Sequence, residues 1–179
     1  MAARSKDART GPANPSRIRF PMPVLAAQTQ EIETLCAKYP QRRSALLPVL
    51  WMVQQKEGWI SQDSMREVAE IIGCTAAEVY EVVSFYTMYQ QRPTGKTHLA
   101  LCKTLACAIC GAFEASDYIT KNYGAPAGGI SADGRYSLEL VECIGACANA
   151  PAILIGEDLH GDLTPEKIDQ LLGPKMELS

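Results

Sequence analysis

Five of the seven cysteines of this chain crowd into its second half, and four of them stand in two close pairs. Cys102 and Cys107 are spaced C-x4-C; Cys143 and Cys147 are spaced C-x3-C. An odd total makes no tidy disulfide framework, and the chain has no apolar export segment, so the reading is intracellular. Intracellular cysteine clusters point to metal binding or redox chemistry rather than cross-linking. Each pair begins at the end of a stretch that alternates as a strand does, THLALC at 97–102 and SLELV at 137–141. Loops leaving two adjacent strands would bring four thiolates together. Four thiolates are what a [2Fe–2S] cluster needs, two on each iron. Ala106, Ala108, Gly145 and Ala146 would let backbone N–H groups approach the cluster sulfides, and Gly145 can take a positive φ.

Other readings fit the same spacing. Cys102, Cys107 and Cys110 also spell C-x4-C-x2-C, the plant-type ferredoxin run, which leaves one of Cys143 and Cys147 without a job. Cys107-Ala-Ile-Cys110 alone could be a redox dithiol or half of a zinc site. A zinc-stabilised interaction module without redox work therefore stays open. Cys36 and Cys74 have apolar neighbours and read as small buried hydrophobes. His98, in a strand, and His160, in a loop, do not read as Rieske ligands, because four cysteines are already at hand.

The remainder of the chain divides in two. Residues 1–20 read as a solvated, disordered tail: five basic residues face one acid, giving +4, so the rest of the −3 chain carries −7. A helical bundle is expected over 21–92. One helix spans Val24 to Lys38; a second covers Arg42 to Lys56, with Pro48 in its early turns or at a kink. A third is capped by Ser61 and stopped by Gly73. A fourth opens on the Thr75-Ala-Ala-Glu78 capping box and runs into Phe85-Tyr-Thr-Met-Tyr89, read as core. From 93 to 179 the pattern is α/β. Besides the two strands it contains a helix from Phe113 to Tyr123, a turn at Asp133-Gly134 and a short strand over Ala152–Ile155. A last helix opens on Thr164-Pro165. The fold class is thus α+β.

Composition removes several functions. No apolar run approaches the roughly 18 residues of a membrane span. A net charge of −3 gives no basic field for nucleic acid. Gly124-Ala-Pro-Ala-Gly-Gly129 lacks the strand-turn-helix context of a dinucleotide fingerprint and reads as loop, so the chain is not expected to bind NADH itself.

Around these residues the sequence resembles the family of the 24 kDa subunit of respiratory NADH:quinone oxidoreductase (complex I), a thioredoxin-like [2Fe–2S] ferredoxin. Val141-Glu-Cys-Ile-Gly-Ala-Cys-Ala-Asn-Ala-Pro151 is similar to its second cysteine loop, and Leu163-Thr-Pro-Glu-Lys167 to its last helix start. Ser44-Ala-Leu-Leu-Pro-Val-Leu50, Gly58-Trp-Ile-Ser61, Glu78-Val-Tyr80, Phe85-Tyr-Thr-Met88 and Pro93-Thr-Gly-Lys96 are similar to its N-terminal part. The resemblance covers about residues 28–173. It implies a thioredoxin-like ferredoxin domain after the bundle, with Cys102, Cys107, Cys143 and Cys147 as ligands of a [2Fe–2S] cluster. The first loop departs from the family, which often has Pro or Ser before its second cysteine. Cys110 stands where the family generally needs none.

The resemblance further implies one-electron transfer with a partner subunit that binds FMN and NADH, alongside further iron–sulfur subunits. It implies a cytoplasmic site on the inner face of the cell membrane, reached through the complex, ahead of the alternative, the mitochondrial matrix. The equivalent subunit of a soluble NAD-dependent formate dehydrogenase, or of an NAD-linked or bifurcating hydrogenase, shares the same cysteine pattern. The bundle either completes the core or docks the flavin subunit, with Trp51, Trp59, Tyr86 and Tyr89 as candidates for that surface.

Overall fold

The computed structural model describes residues 25–175. The expectations for the tail at 1–20 and for a helix start at Val24 lie outside them. The first half is a bundle of α1 (Thr29–Cys36), α2 (Leu46–Glu57), α3 (Gln62–Ile72) and α4 (Ala76–Phe85). Two of the expected helices are shorter, because 3-10 turns at Ala26–Gln28 and Arg42–Ala45 precede α1 and α2. The second turn resolves the place of Pro48. It sits in the first turn of α2, where its missing N–H has no intrahelical acceptor to lose.

The expected caps are in place. The Ser61 side chain accepts from the Ser64 N–H at 3.0 Å, and Thr75 and Glu78 form both arms of the capping box. Ile32, Val49, Leu50, Val53, Ile60, Val68 and Val79 make the bundle core. The reading of 85–89 as core fails in part. Tyr89 is buried, but Phe85, Tyr86 and Met88 are exposed. Phe85 lies four residues after Glu81 on the outward side of α4, and beyond Phe85 the helix stops, so Tyr86 and Met88 no longer continue its inward face and only Tyr89 reaches the core.

The second half is a five-stranded sheet in the order β2-β3-β1-β4-β5. The strands are β1 (Thr97–Cys102), β2 (Gly129–Ile130), β3 (Tyr136–Val141), β4 (Ile153–Ile155) and β5 (Asp158–His160). β1 and β3 run parallel; the other pairings between these strands are antiparallel, including the β2–β3 hairpin around Asp133-Gly134. The short β2 and β5 and the helix α5 (Leu105–Ile109) are not anticipated by the sequence pattern, and His160 lies in β5 rather than a loop. α6 (Ala112–Tyr123) and α7 (Pro165–Leu172) cover one sheet face. There Leu99, Leu101, Leu138 and Ile153 pack against Ile119, Tyr123, Ile168 and Leu172. The alternate residues His98, Ala100, Glu139 and Val141 point the other way, into a cleft of about 810 Å³ facing Trp51 and Trp59 of the bundle. Among the described residues, no helix is long and apolar enough to cross a membrane.

Candidate iron–sulfur site

The parallel ladder carries both cysteine loops to one place. Cys102 is the last residue of β1 and pairs with Val141, the last residue of β3. The loop holding Cys143 and Cys147 therefore leaves the sheet at the same end as the loop holding Cys107. The expectation that two loops would leave adjacent strands is met.

The four thiols do not share one environment. Cys102 and Cys107 are buried, in a small apolar nest with Ala112 and Ala152, edged by Ile144 and Ala146. Cys143 and Cys147 are exposed. The thiols act on one another in two pairs, Cys102 with Cys107 and Cys143 with Cys147. The pairs are near enough for the charges of Cys102 and Cys107 to act on Cys147 or feel it. Among the described residues, no three His, Cys, Asp or Glu side chains converge on a single metal position. A two-plus-two set suits a binuclear cluster, with two thiolates for each iron.

Backbone groups support the sulfurs. Burial raises the Cys102 thiol, but the Thr104 hydroxyl and the Thr104, Cys107 and Ile144 donors outweigh it and hold the group below the ordinary thiol range. The Thr104 hydroxyl lies 3.2 Å from Cys102 Sγ. Burial pushes Cys107 up, reinforced by its neighbour Cys102, although the Ala152 N–H acts against this. Cys147 is raised chiefly by its neighbour Cys143. Gly145 has φ +80°, the conformation its sequence position anticipates, and donates its N–H to Cys143 Sγ at 3.4 Å. The donor set and its surrounding N–H groups fit a [2Fe–2S] cluster.

Cys110 is exposed at the end of α5 and has no part in either pair. Cys36 is buried and Cys74 half-buried; burial raises both thiols, as expected of small core residues. Thr104 is the residue of the candidate site that the cysteine spacing does not point to. It stands at the N-cap position of α5, but its hydroxyl turns to Cys102 instead of to the helix. A Thr directly before Leu-Ala-Cys-Ala-Ile is the available signal for that helix start.

Comparison with known proteins agrees with the geometry. The model of the thioredoxin-like [2Fe–2S] ferredoxin family matches residues 32–175. The chain is 42% identical over 144 residues to an NADH-quinone oxidoreductase subunit of Thermus thermophilus, covering 79% of this chain and 80% of that protein. It is 38% identical over 143 residues to an NADH-quinone oxidoreductase subunit of Rhizobium meliloti, covering 80% and 85%. Among solved structures, an NAD+-reducing [NiFe]-hydrogenase in the H2-reduced state aligns with a TM-score of 0.59 at 20% identity. That alignment covers 69% of this chain and 21% of the hydrogenase chain, and it speaks to the fold alone.

Proposed function

Because the chain belongs to the thioredoxin-like [2Fe–2S] ferredoxin family, we propose that it is the electron-transfer subunit of an NADH:quinone oxidoreductase. In this reading Cys102, Cys107, Cys143 and Cys147 hold the cluster, and the chain exchanges single electrons with the FMN of a partner NADH-binding subunit. The carrying observation is the convergence of the two thiol pairs at one end of the parallel β1–β3 pair.

A bound [2Fe–2S] cluster supplies a one-electron couple. The chain's own residues do the rest. The buried pair, Cys102 and Cys107, would hold iron beside the apolar nest of Ala112 and Ala152. The exposed pair leaves the other side of the site open toward a partner. The Gly145 N–H donates to Cys143 Sγ, and the backbone at Thr104, Ile144 and Ala152 favours the thiolates of Cys102 and Cys107; with a cluster bound, these groups would tune its potential. No side chain is needed as acid or base.

The relatives at 38–42% identity favour the quinone-reducing complex over a soluble NAD-linked hydrogenase, for which the support is a likeness of fold. In the complex the chain would sit on the inner face of the membrane, held there by other subunits, with further iron–sulfur subunits taking the electrons onward. The test is iron and acid-labile sulfide in anaerobically purified protein, with the electron-paramagnetic-resonance (EPR) signal of the dithionite-reduced sample. About two of each per chain are expected. Zinc without sulfide would overturn the proposal.

A further inference from the structure

The loop that carries Cys147 has one backbone bond of its own, from the Asn149 N–H to the Ala146 carbonyl at 3.0 Å, and is braced further from outside. After a 3-10 turn at Cys147–Asn149 it passes through Ala150 and Pro151 into β4. Its outer side rests against a separate strap, Gly161 to Leu163, between β5 and α7. Four contacts join the two. The Asn149 side-chain amide donates to Asp162 Oδ2 at 2.9 Å. The Asp162 N–H donates to the Asn149 carbonyl at 2.7 Å, and the Leu163 N–H to the Pro151 carbonyl at 3.2 Å. Gly161 lies so close that a Cβ there would collide with the Asn149 backbone and Cβ. The Lys167 ammonium fixes the strap from behind through the Gly161 carbonyl at 2.5 Å.

Asp162 is the unusual member. Its φ of +50° makes it the one non-glycine residue in the left-handed region among those described. An Asp tolerates that region better than most residues, but glycine would occupy it with less strain. A residue held in such a conformation is retained where its surroundings use it. Here the use is visible: its N–H and its carboxylate both engage Asn149, two residues from Cys147.

We propose that Asp162 is a positioning residue for the iron–sulfur site, acting through Asn149 to set the place of Cys147. This rests on the reading of Cys147 as a ligand. Cys147 is exposed, with no apolar packing of its own to hold it, whereas Cys102 and Cys107 sit in the nest around Ala112 and Ala152. The latch supplies for the outer pair what burial supplies for the inner pair. Groups that orient a ligand from behind commonly govern how firmly the metal is kept.

Three full-length variants test it. Asp162→Gly relieves the backbone strain and removes the carboxylate, so it folds at least as readily as the parent while losing the Asn149 side-chain bond. Asp162→Asn keeps an acceptor oxygen. Gly161→Ala keeps Asp162 but pushes on the Asn149 backbone. Each is reconstituted anaerobically with ferrous iron and sulfide. Its EPR spectrum, midpoint potential and rate of cluster loss to a chelator are measured, together with the melting temperature of the apo form.

Asp162→Gly and Gly161→Ala are expected to lose the cluster about tenfold faster and to shift the EPR spectrum and potential. Asp162→Asn should stay near the parent, and apo Asp162→Gly should melt at or above the parent temperature. An Asp162→Gly protein with the parent's spectrum, potential and rate of cluster loss would overturn the proposal. Failure of the underlying ligand reading is separately visible: Cys147→Ser would then keep a full complement of iron and sulfide.

Discussion

Cys102 and Val141 form the last rung of the parallel ladder between β1 and β3, so Cys143, two residues further on, emerges at the end of the sheet where Cys102 lies. Antiparallel pairing would have sent the two loops to opposite ends and left two isolated half-sites. Cysteine-to-serine replacement reads this out. Ser at 102, 107, 143 or 147 should abolish stable binding of iron and sulfide. Ser at Cys110, which belongs to neither thiol pair, should leave about two of each per chain. Metal and sulfide analysis with the visible absorption spectrum decides it. Loss of the cluster in Cys110→Ser would instead favour the C-x4-C-x2-C assignment.

Away from the thiols, two tyrosine hydroxyls of α6 meet Asp169 of α7, and the Tyr123 ring is the fully buried one. Tyr123 is fully buried, and its hydroxyl donates to Asp169 Oδ1 at 2.8 Å and to the Gly173 carbonyl at 3.1 Å. Tyr123→Phe keeps the ring and removes both bonds. Asp169 keeps Tyr118 and Lys175 as partners, so no carboxylate is stranded. The cost should be about 1–2 kcal/mol. It should be seen as a lower urea midpoint with an unchanged slope, and iron content should not fall.

Much of this architecture is legible in the sequence. Gly58, Gly73, Thr75, Glu78 and the Thr164-Pro165 start announce helix ends through local chemistry, and local chemistry does not depend on the rest of the chain. That both cysteine pairs leave one end of the sheet is legible because each follows a recognisable strand. What the sequence conceals depends on contacts distant along the chain. β2 and β5 are two and three residues long and exist through pairing with β3 and β4. The exposure of Tyr86 and Met88 follows from where α4 stops, and an aromatic run carries no mark of that. The latch at Asp162 joins residues 13 apart that no motif connects.

A histidine on the open sheet face makes stability depend on pH. His98 lies between Ser137 Oγ, 2.9 Å from Nδ1, and Gln90 Nε2 and Glu139 Oε2, 3.2 and 3.3 Å from Nε2. Burial lowers its pKa, outweighing the attraction of Glu139. A lowered folded-state value means that the unfolded chain takes up the proton first. This group therefore contributes nothing to pH dependence well above pH 6.5 and costs stability as the pH falls through about 6.5. The loss levels off below the folded-state value. His98→Gln should then lose less stability than the parent between pH 7.5 and pH 5, measured by urea unfolding at both. An equal loss in the two proteins would show that His98 is not the group responsible.

The bundle presents the surface on which docking can be tested. Of the four aromatics expected there, Tyr89 is buried and donates its hydroxyl to the Leu47 carbonyl at 2.8 Å, while Trp51 and Trp59 line the cleft. Tyr86 remains outside, and Phe85, 77% exposed, packs edge-on against it with ring centroids 5.0 Å apart. Exposed aromatic pairs of this kind supply the buried anchors of protein interfaces. Phe85 contributes little to the bundle core, and Tyr86 touches it through an edge-on contact with Tyr89, so Phe85→Ser with Tyr86→Ser should cost no more than about 2 kcal/mol. If the bundle seats the flavin-binding subunit, the same pair should weaken that association about 30-fold or more, the effect of losing one strong anchor. Titration of the two purified subunits measures it. Unchanged affinity with an intact melting temperature would move the docking surface off the bundle, toward the exposed thiols and the outward face of α5, where Leu105 and Ile109 are also exposed.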